Sequence, residues 1–409
     1  MDAHNGSHST KPTFAEFFAG IGLMRMGLEA KGWNAVYAND IDPQKLEMYR
    51  AQFPDADDHF HLGDIHKINV DTIPTVDLAT ASFPCTDLSL AGGRLGLAGK
   101  QSSAFWGFIM VLEKMGERRP SLVLLENVTG FLSSHQGADF RNAMLALNGL
   151  GYSVDAFVID SAHFVPQSRQ RLFVVGVRNA QAPAGIRENL SLFGDDLRPQ
   201  ALQQVIYQDS GIRWNTRTLP SLPKRSRRLE SIVEDLPADS AHWWSDARAQ
   251  YLLGQMSERH RLVIDPMIAG KKWSYGTVFR RVRSTGCMAE LRTDGIAGCL
   301  RTPKGGSGRQ ILVKAGYGEF HARLLTPREC GRLMGADNYN IQVSLNQALF
   351  GFGDAVCVPV VSWIAENYLT PVLLEVRQPI VSTTERSFSA RLTCKTSSYL
   401  VGREEVKAA

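Results

Sequence analysis

Between positions 13 and 178 the chain alternates short apolar runs with longer amphipathic stretches. The runs at 13–18, 35–38, 78–82, 122–125 and 172–177 read as strands, and 109–116 and 140–150 carry helical periodicity between them. Strands alternating with crossover helices predict an α/β domain, doubly wound around a mostly parallel sheet, over residues 13–194. Ligands of such sheets bind beyond the carboxyl ends of the strands, so the residues that follow each run are the functional candidates.

After about Gly194 the alternation fades into Pro-, Ser- and Arg-rich sequence such as 219–228, which marks a boundary. A smaller, irregular second domain is expected at 195–340. A helical pattern returns at 355–369, so 341–378 is expected to fold back and complete the first domain. Residues 1–12 read as a polar tail. The Ser/Thr-rich 379–409, with a short apolar patch at 399–401, reads as a peripheral one.

A chain of 409 residues, 44% hydrophobic, can bury the cores of two or three domains. The stretch from Met1 to Lys11 lacks the apolar centre of a signal peptide, and no later run reads as membrane-spanning, so a cytoplasmic location and no membrane partner are expected. Cys85, Cys287, Cys299, Cys330, Cys357 and Cys394 are scattered without a CxxC pair or zinc-type spacing, which predicts reduced thiols and no metal. Net charge is only +4, but its distribution changes the picture. Residues 211–340 carry 22 Lys+Arg against 12 Asp+Glu, or +10, leaving −6 for the rest. A basic segment is either a solvated surface or a partner for a phosphate backbone.

Candidate chemistry sits where the strands end. Phe18-Ala19-Gly20-Ile21-Gly22 follows the first run and opens a helical stretch at 23–31, beginning with Leu23. Its glycines let backbone approach a ligand, but a full GxGxxG is absent, which disfavours a nicotinamide dinucleotide. Asn39-Asp40 places a carboxylate about 20 residues further on, suited to two ribose hydroxyls. Gly63-Asp64-Ile65 offers an acid for an adenine amino group and an apolar side chain for its ring. Together these suit an adenosyl ligand.

Ser82-Phe83-Pro84-Cys85-Thr86-Asp87 stands directly after the run at 78–82. A cysteine alone is more often a small buried hydrophobe than a nucleophile. Here Glu126-Asn127-Val128 follows the run at 122–125, and Gln167-Ser168-Arg169-Gln170-Arg171 precedes the run at 172–177. Thiol, acid and guanidinium groups can therefore converge at one sheet edge.

In this order, the FAGIG loop, Asn39-Asp40, Gly63-Asp64-Ile65, the Pro-Cys turn, Glu126-Asn127-Val128 and Gln-x-Arg-x-Arg resemble the motifs of the DNA (cytosine-5) methyltransferases of bacterial restriction-modification systems. Two later blocks agree: Arg323-Leu324-Leu325-Thr326-Pro327-Arg328-Glu329-Cys330 and Gly353-Asp354-Ala355-Val356. The resemblance implies S-adenosylmethionine as cofactor, held by Phe18, Gly20, Ile21, Gly22, Leu23, Asp40, Ile41, Asp64, Ile65, Pro84, Asp354 and Val356. It implies that Cys85 adds to carbon 6 of a flipped-out cytosine, Glu126 engages ring nitrogen 3, Arg169 and Arg171 hold oxygen 2, and Asn127 organises the Pro-Cys turn. The glycine-rich 91–101 resembles the mobile catalytic loop.

The family's target-recognition region coincides with the basic segment, which makes double-stranded DNA the expected partner. Candidate contacts are Arg225, Arg227, Arg228, Lys271, Lys272, Arg280, Arg281, Arg283, Lys304 and Arg309, with Trp273 and Tyr275 interleaved. A monomer is expected, with a cognate restriction endonuclease as a separately acting partner. Two positions depart from the usual pattern: Thr86-Asp87 follows Pro-Cys where a glutamine-containing turn is common, and Asp354 stands where asparagine is usual. The alternatives are a tRNA cytosine-5 methyltransferase, whose Cys-Phe-Thr element is absent, and a non-catalytic DNA-binding regulator on the same scaffold.

Overall fold

The computed structural model describes residues 11–84, 103–178, 197–283, 286–302 and 308–377. The nucleophile candidate Cys85, the loop 91–101, Lys304 and the C-terminal tail lie outside them.

Seven strands form the larger sheet: β1 (Thr13–Phe17), β2 (Asn34–Asp40), β3 (Phe60–Leu62), β4 (Leu78–Ala81), β5 (Leu122–Val128), β6 (Tyr152–Asp160) and β7 (Gln170–Arg178). Their order is β3-β2-β1-β4-β5-β7-β6. The first five are parallel, while β7 runs antiparallel to both β5 and β6. The apolar runs are continuous because both faces are covered. Phe14, Leu78, Leu122 and Leu124 face the C-terminal helices, and Ala15, Phe17, Val123 and Leu125 face Phe105, Phe108 and Phe140. β1 pairs with β2 on one side and β4 on the other, so the chains leaving β1 and β4 open a crevice at the reversal of strand order.

The tight connection from β6 to β7 is held by Asp160, whose Oδ1 accepts from the amides of Ala162 at 3.0 Å and Arg169 at 2.9 Å. This fixes the approach of the Gln-x-Arg-x-Arg element to the sheet edge.

The C-terminal return is built differently from its sequence pattern. A helix at Leu345–Asp354 starts on a Ser344–Gln347 capping box, the chain breaks at 355–357, and a second helix begins at Val358 with Pro359 in its first turn. That helix continues through a π-helical turn, Ala365–Leu369, to Arg377. Contrary to the sequence expectation, Leu345–Arg377 is long and apolar enough to span a membrane, but 67% of its apolar window is buried. Val360, Val361, Ile364, Leu369 and Leu373 belong to the core on one face of the large sheet, which accounts for their hydropathy.

The basic region is more regular than its sequence suggests. β8 (Ser274–Arg283), β9 (Gly286–Arg292), β10 (Ile311–Gly316) and β11 (Glu319–Leu324) form an antiparallel sheet in the order β11-β10-β8-β9. Val278, Ile311, Val313, Ala315 and Ala322 pack against the helices Asp246–Gly254 and Glu258–Ile268. Leu312, on the opposite face, joins the core of the large sheet and couples the two. The fully buried Arg323–Glu329 pair at 2.6 Å fastens β11 to the helix Pro327–Leu333, where Glu329 also completes a capping box with Thr326.

Candidate active site

The loop after β1 takes left-handed backbone at Phe18 (φ 56°), Gly20 (φ 59°) and Gly22 (φ 79°). At Gly22 an added Cβ would overlap the rings of Phe53 and Tyr49, so glycine is required for space as well as for φ. At Gly20 an added Cβ would meet only the Phe18 carbonyl, at 3.9 Å, and project into open space. The Gly20 amide donates to Asp40 Oδ2 at 2.8 Å, and the Asp42 amide donates to Asp40 Oδ1 at 2.9 Å. Asp40 is thus a fixed, buried acceptor with one further lone pair on each oxygen for hydroxyl donors. Asn39 ties the end of β2 to the next loop by donating to the carbonyls of His61 and Gly63. There Asp64 accepts from the His66 amide at 3.0 Å.

Beside Asp40, Ile41 is 66% exposed, and Leu62, the partner of Asp40 across β2 and β3, is also exposed. Exposed apolar groups beside an anchored carboxylate suit the base and ribose of an adenosyl group. Ile65 is buried, and so are Ile21, Leu23 and Val356, whose side chains belong to the core and leave only main chain for a ligand. Pro84 is exposed at the end of the described segment. Asp354 pairs with Lys45 Nζ at 3.2 Å. Burial pulls the Lys45 ammonium down, but Asp354, Asp40 and Asp42 outweigh it and keep the group firmly charged.

At the carboxyl end of β5, Glu126 is buried and its Oε1 lies 3.0 Å from Arg171 Nε. Burial pushes the Glu126 carboxyl above the ordinary carboxylate range despite the opposing pull of Arg171 and Arg169. Asn127 donates from Nδ2 to the Phe83 carbonyl at 3.4 Å and accepts from the Val128 amide at 2.8 Å, linking β5 to the turn that leads into Pro84. Phe83 is itself locked between Phe105 and Phe131.

Arg169 is placed apart from solvent and is engaged by main chain. Its Nη1 donates to the Leu300 carbonyl at 2.9 Å, and its Nη2 donates to the carbonyls of Gly353 at 3.0 Å and Ala355 at 2.6 Å. The guanidinium thereby joins the start of β7, the strip after β9 and the turn after Leu345–Asp354. At this seam an added Cβ on Gly353 would lie 2.7 Å from the Thr302 amide. Buried Gln167 reinforces it, donating to Leu333 and accepting from the Leu300 amide. Sequence reasoning missed Lys45 and Leu62, named Gln167 only as part of its motif, and took Cys299, which accepts from Arg169 at 3.4 Å, only as one of the scattered thiols.

The sequence profile of the C-5 cytosine-specific DNA methylases matches residues 12–370. The chain belongs to that family. It is 29% identical over 362 residues to the type II methyltransferase M.HhaI of Haemophilus parahaemolyticus, covering 87% of this chain and 93% of that protein. It is 28% identical to M.DsaV of Dactylococcopsis salina, covering 89% and 88%. The fold matches the crystal structure of S. pombe Dnmt2 methyltransferase with a TM-score of 0.57 at 18% identity, over 90% of this chain and 99% of that one. The chain is therefore a DNA-cytosine methyltransferase by family.

In this methylase the candidate DNA contacts divide by their partners. Lys271 and Lys272 are exposed at the bend before β8. Arg281 and Arg283 share Glu290 across the β8–β9 hairpin at 3.5 and 3.0 Å. Arg227 pairs with Asp337 at 2.8 Å, Arg225 donates to the Arg227 carbonyl, and Arg309 donates to Asn346 at 2.9 Å. Arg228 lies 3.6 Å from Glu230. Trp273 is packed against Tyr317 and carries Lys314 4.5 Å above its ring, while Tyr275 packs against the shared core.

Proposed function

We propose that this chain methylates carbon 5 of a flipped-out cytosine in a specific double-stranded DNA sequence, through a covalent Cys85 adduct at carbon 6. The observation that carries the proposal is the pairing of buried Glu126 with Arg171 beside the Asn127–Phe83 link, two residues before Cys85 in the chain. S-adenosylmethionine, when bound, supplies the electrophilic methyl group. The Gly20 space, the anchored Asp40 and the apolar Ile41 fit its adenosyl part.

Carbon 5 of cytosine is a weak nucleophile, and addition of the Cys85 thiolate to carbon 6 gives the ring enamine character. Glu126 carries the proton at ring nitrogen 3, which its raised pKa favours. Arg171 holds oxygen 2, and Arg169, with three carbonyls to satisfy, serves by seating the wall of the site. Once carbon 5 carries the methyl group, water takes the carbon 5 proton, the 5,6 double bond re-forms as the carbon 6–sulfur bond breaks to release the Cys85 thiolate, and Glu126 recovers the proton from ring nitrogen 3. Asn127 fixes the turn that presents the thiol.

Residues 13–194 with 341–378 act as the catalytic domain and 195–340 as the recognition domain. The chain works as a cytoplasmic monomer, alongside an endonuclease that cuts the same unmethylated site. Covalent trapping on duplex DNA containing 5-fluorocytosine tests the chemistry. A trapped complex abolished by Cys85→Ser supports the proposal, and its absence would mark a binding regulator. Methylation of tRNA instead of duplex DNA would establish the other alternative, and the mass of the modified base reports whether a plain methyl group was added.

A further inference from the structure

We infer that Lys45 and Asp354 form a charged receptor for the amino-acid end of the methyl donor, Lys45 taking its carboxylate and Asp354 its ammonium. The inference rests on the function proposed above and adds Lys45, which no sequence motif marks, to the donor site. Its basis is an ion pair built across the crevice. Lys45 Nζ lies 3.2 Å from Asp354 Oδ2, with Lys45 mostly buried and Asp354 half-exposed.

Packing fixes where the pair stands. The helices Pro43–Gln52 and Leu345–Asp354 lie so close that an added Cβ on Gly351 would meet Met48 at 2.8 Å and Ile21 of the glycine loop at 2.9 Å. The Tyr339 hydroxyl, 2.8 Å from the Ile21 carbonyl and 2.9 Å from the Met48 carbonyl, pins the same junction. Asp354 is one turn on from Gly351, and Lys45 is one turn back from Met48. The carbonyls on either side of Asp354, those of Gly353 and Ala355, are held by Arg169. On the other side, Lys45 follows Asp42 by three residues, and the Asp42 amide donates to Asp40. The pair thus bridges the Asp40 side of the crevice and the Arg169 seam.

The helix dipoles show that neither charge serves its own helix. Lys45 is the third residue of Pro43–Gln52, where the partial charge of the helix is positive, and Asp354 is the last residue of Leu345–Asp354, where it is negative. An ion pair open to solvent at Asp354 adds little stability in compensation. A ligand carrying both charges removes the mismatch. Its carboxylate meets Lys45 and a helix N-terminus, and its ammonium meets Asp354 and a helix C-terminus. The total charge agrees: Asp40, Asp42 and Asp354 set three carboxylates against one ammonium, whereas the donor sets a sulfonium and an ammonium against one carboxylate.

Calorimetry on the full-length protein measures three ligands: S-adenosylhomocysteine, its decarboxylated analogue, which keeps only the ammonium, and methylthioadenosine, which lacks both charges. Lys45→Met is expected to weaken S-adenosylhomocysteine about tenfold, as for loss of a charge-assisted hydrogen bond, and to leave the decarboxylated analogue as tight as before or tighter. Asp354→Asn is expected to weaken the decarboxylated analogue about tenfold, because Lys45 then stands unpaired against its ammonium. Methylthioadenosine should bind every form alike, which also shows that the variants fold. Lys45→Arg should keep the wild-type order of affinities, and Lys45→Gln takes the place of Lys45→Met if that variant does not fold. Equal changes for all three ligands, or none, overturn the inference and leave the pair a structural clasp, with the proposed function intact. The expected pattern in a protein that traps no 5-fluorocytosine DNA supports the receptor and refutes the proposed function. A wild type that binds none of the three overturns both.

Discussion

Glu126→Gln separates the chemistry of the site from its architecture. The glutamine retains a carbonyl oxygen that can accept from Arg171 Nε at the 3.0 Å position of Oε1, but it loses the charge and the transferable proton. Removing one partner of a buried ion pair costs about 3–5 kcal/mol when nothing replaces it. Here the retained acceptor and the further contact of Arg171 with the Gln170 carbonyl reduce the expected loss to about 1–2 kcal/mol of stability. Loss of general-acid catalysis costs about 100- to 10,000-fold in rate, or about 3–5 kcal/mol of barrier. Activity must therefore fall much further than stability.

Single-turnover transfer of labelled methyl groups, run with thermal denaturation and cofactor binding, measures all three quantities. Because Glu126 acts while protonated and its pKa lies above the ordinary carboxylate range, the wild-type chemical step declines as pH rises through that elevated value, and the glutamine profile loses this limb. The same group gives stability that is complete below the ordinary carboxylate pKa and is lost as pH rises through the elevated one. A Glu126→Gln enzyme within about threefold of wild type would refute the assignment, since it lies far outside the loss expected for a general acid.

Other outcomes follow from the same geometry. Gly22→Ala places a Cβ against Phe53 and Tyr49 at φ 79°, and should cost about 1–3 kcal/mol in thermal denaturation and weaken S-adenosylhomocysteine binding by calorimetry. Glu329→Gln strips the counterion from fully buried Arg323 and should destabilise by about 3–5 kcal/mol, whereas joint replacement of both by apolar residues should recover much of that loss in chemical denaturation. Lys271→Ala with Lys272→Ala should weaken binding to all duplex sequences alike and reduce the salt slope of log Kd by about 1–2, read by anisotropy titration, with target choice unchanged.

The parallel strands were legible because burial on both faces leaves uninterrupted apolar runs such as Leu78–Ala81. β6 was not, because its polar Ser153, Asp155 and Asp160 break the run. Asp155 is nevertheless fully buried, paired with Arg198 at 2.8 Å and hydrogen-bonded by the Tyr368 hydroxyl. The antiparallel sheet also escaped notice, although Gly316-Tyr317-Gly318-Glu319 carries a two-residue hairpin signal: Tyr317 and Gly318 both have positive φ between β10 and β11. At the site, motif order marked Glu126 and Asn127. It could not reveal that Arg169 is occupied by carbonyls, because those partners lie about 131 to 186 positions away in sequence.

The grip of Arg169 on Leu300, Gly353 and Ala355 uses only peptide oxygens, which every amino acid possesses. Side chains throughout the basic region can therefore diversify without erasing this anchorage. A lineage acquiring a new DNA target can inherit an already seated wall, and laboratory chimeras should tolerate foreign inserts whose ends preserve the path of the chain through 297–302 and 323–329.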